Sequence, residues 1–343
     1  MTEVKETAQD HTPKSGSTAK NVARRILRHE NTYLFFVLLA LIAIVAFATD
    51  GLSITRANMA NVMLQSSIMG VASVGQAFVI LTAGIDLSVG GVGLLSSVLG
   101  ASMMTRTVYQ NIVGAPVSVA IAVPIMILAA AAIGTINGIM VSRVGMPALI
   151  ITLGMWQIAN GLGFAICQGS SIGALPDSMA FLGSGSIGGI PTPVVVFFWV
   201  AAIGYFVLNY TPFGRSVYAV GGNPVNAWLS GIKTRRVTFM VYLISGILAG
   251  IAGVLITGRV LSASMRSLEG LELDTIGAVC VGGVSLMGGR GNLIGVILGV
   301  LIIGVINNGM SILGAGPDTQ DIAKGLIIIT AVAVDIIGRR RRG

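Results

Sequence analysis

TPFGRSVYAVGGNPVNAWLSGIKTRR, from Thr211 to Arg236, is the one polar insertion in the middle of an otherwise apolar chain. Pro212 and Gly214 break the apolar run before it, and Gly221, Gly222, Asn223 and Pro224 read as a turn. Asn223 stands where an N-cap would open a short helix from Pro224 to about Ser230, and Gly231 suits the C′ position that closes it. Arg215, Lys233, Arg235 and Arg236 assign the segment to the cytoplasmic side, because short loops rich in Lys and Arg are the ones not carried across a membrane. A short helix held at the membrane surface between two spans suits the docking of a soluble partner.

Outward from this segment the chain is built for lipid. Of its 343 residues 54% are hydrophobic and only 10% charged, where a soluble domain carries about a quarter charged residues. Crossing a hydrocarbon core of roughly 30 Å takes about 20 apolar residues in a helix. Ten candidate spans follow: 33–50, 59–82, 88–105, 117–141, 147–167, 192–209, 237–258, 274–287, 291–312 and 320–337. The eighth is too short to cross and is expected as a broken or re-entrant element shielded by its neighbours, since unpaired backbone in lipid is costly. The fold class is therefore all-α and polytopic, and the 47 glycines suit close helix packing. Residues 1–32 are polar and lack the apolar core and cleavage site of a signal peptide, so they are expected as a disordered cytoplasmic tail. Residues 33–338 form the membrane domain and 339–343 a basic cytoplasmic tail.

Charge tests this topology. With both termini inside, the cytoplasmic segments hold 16 of the 21 Lys and Arg residues: six in the N-terminal tail, Arg143, the four of the central segment, Arg290, and Arg339 to Arg342. The outer side keeps Arg56, Arg106, Arg259 and Arg266, with Lys324 at the start of the last span. The net charge of +8 is thus explained by orientation, and no basic face interleaved with aromatics points to nucleic acid. Two short identities suggest an internal repeat. IGTINGIM (Ile133 to Met140) matches IGVINNGM (Ile303 to Met310) on spans of opposite direction, as an inverted repeat requires. VGGVGL (Val89 to Leu94) matches VGGVSL (Val281 to Leu286) but does not fit that inversion cleanly.

Several motifs in order carry a resemblance. They are Gly214-Arg215, Tyr218-Ala219, Gly221-Gly222-Asn223, Ala227 and Gly231-Ile232 in the central segment, GIDLSVGG from Gly84 to Gly91, LELDTIGAVCVGGVSLMGGRG from Leu271 to Gly291, and INNG from Ile306 to Gly309. The chain resembles the ribose-type sugar permeases of the branched-chain amino acid/ribose permease superfamily, the membrane subunits of bacterial ABC importers, over almost everything after Tyr33. The resemblance implies import of a monosaccharide or polyol across the inner membrane. It also implies a second permease chain, identical or different, and a cytoplasmic ABC ATPase that carries the ATP and Mg, so that no cofactor is expected on this chain. A periplasmic or lipid-anchored sugar-binding protein completes the implied assembly. Thr211 to Arg236 becomes the coupling loop, with Gly214, Arg215, Tyr218, Ala219, Gly221, Gly222, Asn223, Ala227 and Gly231 as its ATPase-coupling residues. The outer segment with Arg266, Glu269 and Glu272 is expected to receive the binding protein, a plain solvated loop being the other reading. Leu271 stands where the family commonly has an aromatic, Asn160 where a basic residue is usual, and Pro317 to Asp321 is unusually acidic, which leaves the sugar open.

Candidate pathway residues are few. Asp86 is the only acidic residue between Asp50 and Asp177; an ionisable group at membrane depth is costly and usually faces a polar path or partner. Asp86 and Ser88 therefore either sit at a helix break beside the pathway or cap the next helix in a short turn. Asn137, Asn160, Asn307 and Asn308 lie in apolar runs. Amides suit an uncharged, hydroxyl-rich cargo because they both donate and accept, although they also bond helix to helix. Trp156 could stack on a sugar ring or simply pack. Both histidines, His11 and His29, lie in the N-terminal tail, and Cys167 and Cys280 sit alone, so no metal site is indicated. The glycines from Gly282 to Gly291 lack the GK[ST] of a phosphate loop. A rival class, the ion-coupled carrier, needs intramembrane carboxylates, and only Asp86 and Asp274 offer themselves. An embedded enzyme lacks a catalytic constellation.

Overall fold

The computed structural model describes residues 30–340. Almost all of the predicted N-terminal tail, and residues 341–343 of the basic C-terminus, lie outside the described residues. The helices are Glu30–Ala48 (α1), Arg56–Leu81 (α2), Val89–Met104 (α3), Val119–Ile139 (α4), Ala148–Cys167 (α5), the short Ala180–Ser184 (α6), Thr192–Tyr210 (α7), Pro212–Gly222 (α8), Pro224–Leu229 (α9), Thr234–Val260 (α10), Leu271–Val281 (α11), Leu293–Ile312 (α12) and Pro317–Arg340 (α13). Among the described residues, seven helices are long and apolar enough to cross a membrane: α1, α2, α4 with its π-helical extension to Val144, α5, α7, α10 and α12. The shorter apolar α3, the 11-residue α11 and the polar-headed α13 complete the ten expected segments.

The eighth segment is broken, as its length demands. At 1.5 Å per residue α11 extends about 16 Å, roughly half of a hydrocarbon core. The chain then continues as a turn-rich stretch to Asn292, the N-cap of α12, with Gly283, Gly288, Gly289 and Gly291 at positive φ. One local expectation differs. Pro212 to Gly222, expected as a chain break and turn, forms an 11-residue helix. Pro212 at its first turn needs no donor, and the Thr211 hydroxyl caps it by accepting from Gly214 N at 3.2 Å.

α2 and α10 form the centre of the bundle, and α3, α4, α7, α11 and α12 pack on one or both of them. The approach is close because small residues face each other: a Cβ on Gly134 of α4 would strike the α10 backbone at Tyr242 and Gly246, and one on Gly246 would strike Ala130 and Gly134. The packing also repeats. Exchange α2 with α10, α3 with α11, α4 with α12 and α5 with α13, and the α4–α10 contact becomes α12–α2, α3–α5 becomes α11–α13, α3–α10 becomes α11–α2, and α3–α4 becomes α11–α12. The paired helices run in opposite directions: α2 and α4 end beside the Thr82–Ser88 break, whereas α10 and α12 begin beside it. The repeat is inverted. Ile133–Met140 and Ile303–Met310 fall on the equivalent α4 and α12, while the two VGGV stretches do not match, one opening α3 and the other ending α11.

Candidate functional site

Two polar regions lie at opposite ends of the bundle. The first is the end carrying Arg143, Arg215, Lys233, Arg235, Arg236 and Arg290. Here α2 stops at Leu81, and Ala83 takes a left-handed conformation (φ 61°) that turns the chain back into the bundle. Gly289 N donates to Leu81 O at 2.9 Å. Gly221, at the end of α8, lies against that same carbonyl and Gly289 N, leaving no room for a side chain. Gly288, at φ +76°, packs on the Ala83 backbone, and the Tyr218 hydroxyl donates to Gly291 O at 3.0 Å. Three segments from distant parts of the sequence thus meet main chain to main chain, which only glycine permits.

Immediately inside this junction lies Asp86, 1% exposed. Its Oδ1 accepts from Ser88 N at 2.9 Å and from Ser88 Oγ at 2.6 Å, and its Oδ2 accepts from Ser245 Oγ of α10 at 2.7 Å. Asn137 Nδ2 of α4 donates to Ser88 Oγ at 2.8 Å, and the Tyr242 hydroxyl of α10 donates to Ile85 O at 3.3 Å. The network ties the break between α2 and α3 to both α4 and α10. Every member is buried or nearly so, which makes these bonds worth more than in water and their loss more costly.

Outside the junction, α9 hangs from its caps. Asn223 Oδ1 accepts from Asn226 N at 2.9 Å, and Gly231 closes the turn at φ +84°. Among the predicted coupling residues, Gly214, Gly221 and Ala227 are buried and hold the loop to the bundle, Tyr218 and Ala219 are partly covered, and Arg215, Gly222, Asn223 and Gly231 are exposed. The sequence reading passed over Val225, Trp228 and Leu229, exposed at 62%, 65% and 69%. Their i, i+3, i+4 spacing puts them on one face of α9, opposite the buried Ala227, and that spacing was the available signal.

At the far end the loops 105–117, 168–187 and 259–270 interlock through Ile172 paired with Ala263, Thr105 Oγ1 to Gly173 O at 2.7 Å and Arg106 N to Ala174 O at 3.2 Å. Beneath them a cavity of about 220 Å³ opens between α2, α10, α11, α12 and α13. Asp274 lies in its wall, paired with Lys324 at 3.1 Å. Of the predicted docking residues, Arg266 and Glu269 are exposed at this end, while Glu272 turns inward against Gly90 and is only partly exposed.

The predicted pathway residues do not form one cluster. Asp86, Ser88 and Asn137 share the buried network. On α5, Trp156 backs onto Gly91 and Asn160 donates to Trp156 O at 3.0 Å. Asn307 lines the far-end cavity, and Asn308 makes a reciprocal pair with Asn58, at 2.8 and 2.9 Å.

Residues 58–332 match the family described as branched-chain amino acid transport system / permease component. The chain belongs to this permease family. The permease is 38% identical over 308 residues to the ribose import permease protein of Haemophilus influenzae, covering 88% of this chain and 91% of that protein. It is 39% identical over 280 residues to the ribose import permease protein of Bacillus subtilis (81% and 84%) and 35% identical over 309 residues to the fructose import permease protein of Rhizobium meliloti (87% and 84%). No solved structure matches it.

Proposed function

We propose that this permease is the membrane-spanning subunit of an ATP-binding-cassette importer for a monosaccharide or related polyol, set in the inner membrane of a bacterial cell with its basic end in the cytoplasm. The relatives named for ribose and fructose import support the cargo class. The observation that carries the mechanism is the exposed Val225, Trp228 and Leu229 face of α9, in a segment that also exposes Arg215, Lys233, Arg235 and Arg236. An apolar anchor in a basic rim is the surface a soluble partner grips.

The partner in this reading is an ATPase that holds ATP and Mg, so hydrolysis occurs off this chain. Its movement on α9 would pass through α8 and the Gly221–Gly289 junction to the end of α2, and from there through the Asp86 network to α4 and α10. The spans then alternate between outward and inward openings, biased by the different affinities of the partners for the two states. A second permease chain and an external binding protein, received at the end bearing Arg266 and Glu269, complete the assembly. The carboxylates that an ion-coupled carrier would use are engaged: Asp86 by Ser88 and Ser245, Asp274 by Lys324.

Gly222→Trp tests the coupling surface. Gly222 is exposed with open space where a side chain would project, so the variant still inserts and folds, and substrate-stimulated ATP hydrolysis by the assembled complex is abolished. Unchanged stimulation overturns the assignment.

A further inference from the structure

Both salt bridges among the described residues lie at the far end, on Lys324. The basic end is built the other way: Arg143, Arg215, Lys233, Arg235, Arg236 and Arg290 are exposed there, and none pairs with a carboxylate among the described residues. Arg235 lines a cavity of about 260 Å³. The space lies between the Thr82–Gly84 break, the π-helical extension of α4 at Val141, the start of α5 at Ala148, and Val220 and Pro224 on either side of the turn from α8 to α9. From α10 come Thr234, Arg235 and Thr238. The two threonines are partly exposed, and their hydroxyls reach solvent and make no hydrogen bond among the described residues. No carboxylate lines the space. Asp86 is not part of the wall and is taken up by Ser88 and Ser245.

One fixed positive charge beside two free hydroxyls, with no acid facing them, selects an anion. The number of donors then selects among anions. A guanidinium forks onto two oxygens, which uses up a carboxylate, whereas a phosphate monoester keeps a third oxygen for a hydroxyl. Size narrows the choice further. At roughly 30 Å³ per water molecule the space equals about nine waters, so a bare phosphate, with its five heavy atoms, leaves about half of it open. Val141, Ala148, Val220 and Pro224 present C–H surface to that remainder.

We propose that this cavity binds a phosphate monoester of a small organic group, with the phosphate held by Arg235, Thr234 and Thr238. Val220 and Pro224 belong to the coupling loop and Thr82 to Gly84 follow the end of α2, so an occupant bridges the loop and the bundle. Any step of the cycle that narrows this gap must first expel the ligand, which therefore holds the permease in one of its states. A reaction that phosphorylates the imported sugar supplies such a ligand, and its accumulation slows further entry. This control of uptake rests on the import reading; the binding does not.

Ala148→Cys in the full chain, reconstituted in phosphatidylcholine, tests the site through the rate of its modification by methyl methanethiosulfonate, with the parent protein as background for Cys167 and Cys280. Val141→Cys is the second reporter should the first not fold. D-ribose 5-phosphate is the probe, with D-ribose and acetate as controls. At about ten times its Kd the ester is expected to slow modification about tenfold, and ribose and acetate are expected to leave the rate unchanged. Arg235→Gln is expected to raise the concentration of ester needed by about tenfold or more, and Arg236→Gln, one residue on and outside the cavity, to leave it unaltered. Absence of protection, equal protection by ribose or acetate, or an equal response of the two arginine variants overturns the proposal. A second arm adds phosphatidylglycerol to the membrane in place of the ester. Slowing there, with none by the ester, makes the ligand a lipid phosphodiester and overturns the monoester. ATP-driven sugar uptake by the complex with its ATPase is measured in parallel with the ester on the coupling-loop side, and is expected to fall about tenfold at the same dose. Uptake that ignores an ester which protects refutes the control and not the site. No ATP-driven uptake at all, beside intact protection, refutes the import reading alone.

Discussion

The Asp86 cluster at the basic end and the cavity at the far end occupy equivalent positions in the two halves of the permease and are built differently. At the basic end, Asp86, Ser88, Ser245 and Asn137 are joined by hydrogen bonds beside the glycine junction, with Asn137 Oδ1 left without a partner among the described residues. At the far end, the Asp274–Lys324 pair stands in the wall of an open cavity lined also by Ser66 and Asn307. The difference separates two uses of buried polarity in a membrane bundle. In the first, hydrogen bonds from α4 and α10 to the break between α2 and α3 fix geometry; in the second, an ion pair lines an open cavity. The closed cluster should therefore be less tolerant of substitution in folding than the cavity wall.

The largest effect is expected at the junction that backs the closed cluster. Gly221→Val drives a side chain into Leu81 O and Gly289 N, and ATP-driven sugar uptake is expected to fall to background together with the yield of folded protein in detergent. Gly222→Val, one residue on and unobstructed, keeps the yield. Next comes the cluster itself. Asp86→Ala strands the hydroxyls of Ser88 and Ser245 and is expected to cost roughly 3 kcal/mol, read as a loss of thermal stability of the solubilised protein. If that variant melts with the parent, the closed cluster is not structural and the contrast fails.

Asn307→Leu should show the reverse pattern. It removes an acceptor that has no partner among the described residues, so the thermal stability of the solubilised protein should move by less than about 1 kcal/mol. A matching loss of stability would make the outer asparagine a second structural group. The smallest effect belongs to α9. Asn223→Ala deletes the cap on Asn226 N and is expected to cost about 1 kcal/mol locally. It should lower ATPase stimulation in the assembled complex a few-fold while leaving the yield of folded protein unchanged.

Much of this was legible in the sequence because it depends on local pattern. The ten apolar segments, the short eighth one, and the Asn223 cap with Gly231 behind it all follow from composition, length and turn chemistry over a few residues. The helical reading of Pro212 to Gly222 was missed because its glycines argue for a turn, and only tertiary contact with Leu81 and Gly289 makes a glycine useful at the helix end. The partners of Asp86 were not readable at all. Ser245 stands 159 residues away, and nothing near GIDLS announces that its hydroxyl completes the network. Asn137 and Asn307 sit in nearly the same octapeptide, so sequence alone assigns them the same role. What distinguishes them is their surroundings: the Asn137 amide donates to Ser88, whereas Asn307 lies in the wall of the far-end cavity.

The joint between α8, the end of α2 and the turn before α12 has a consequence for how such a machine can change. It consists of peptide groups at Leu81, Ala83, Gly221, Gly288 and Gly289, with the Ala83 methyl as the one side chain in the contact at Gly288. Variation has little there to adjust, for an added atom at Gly221, Gly288 or Gly289 jams the joint. Retuning the cargo or the pace of transport must be written elsewhere, in the walls of the bundle and on the exposed face of α9. An engineer who wishes to retarget this permease would leave those positions untouched and treat them as its fixed axle.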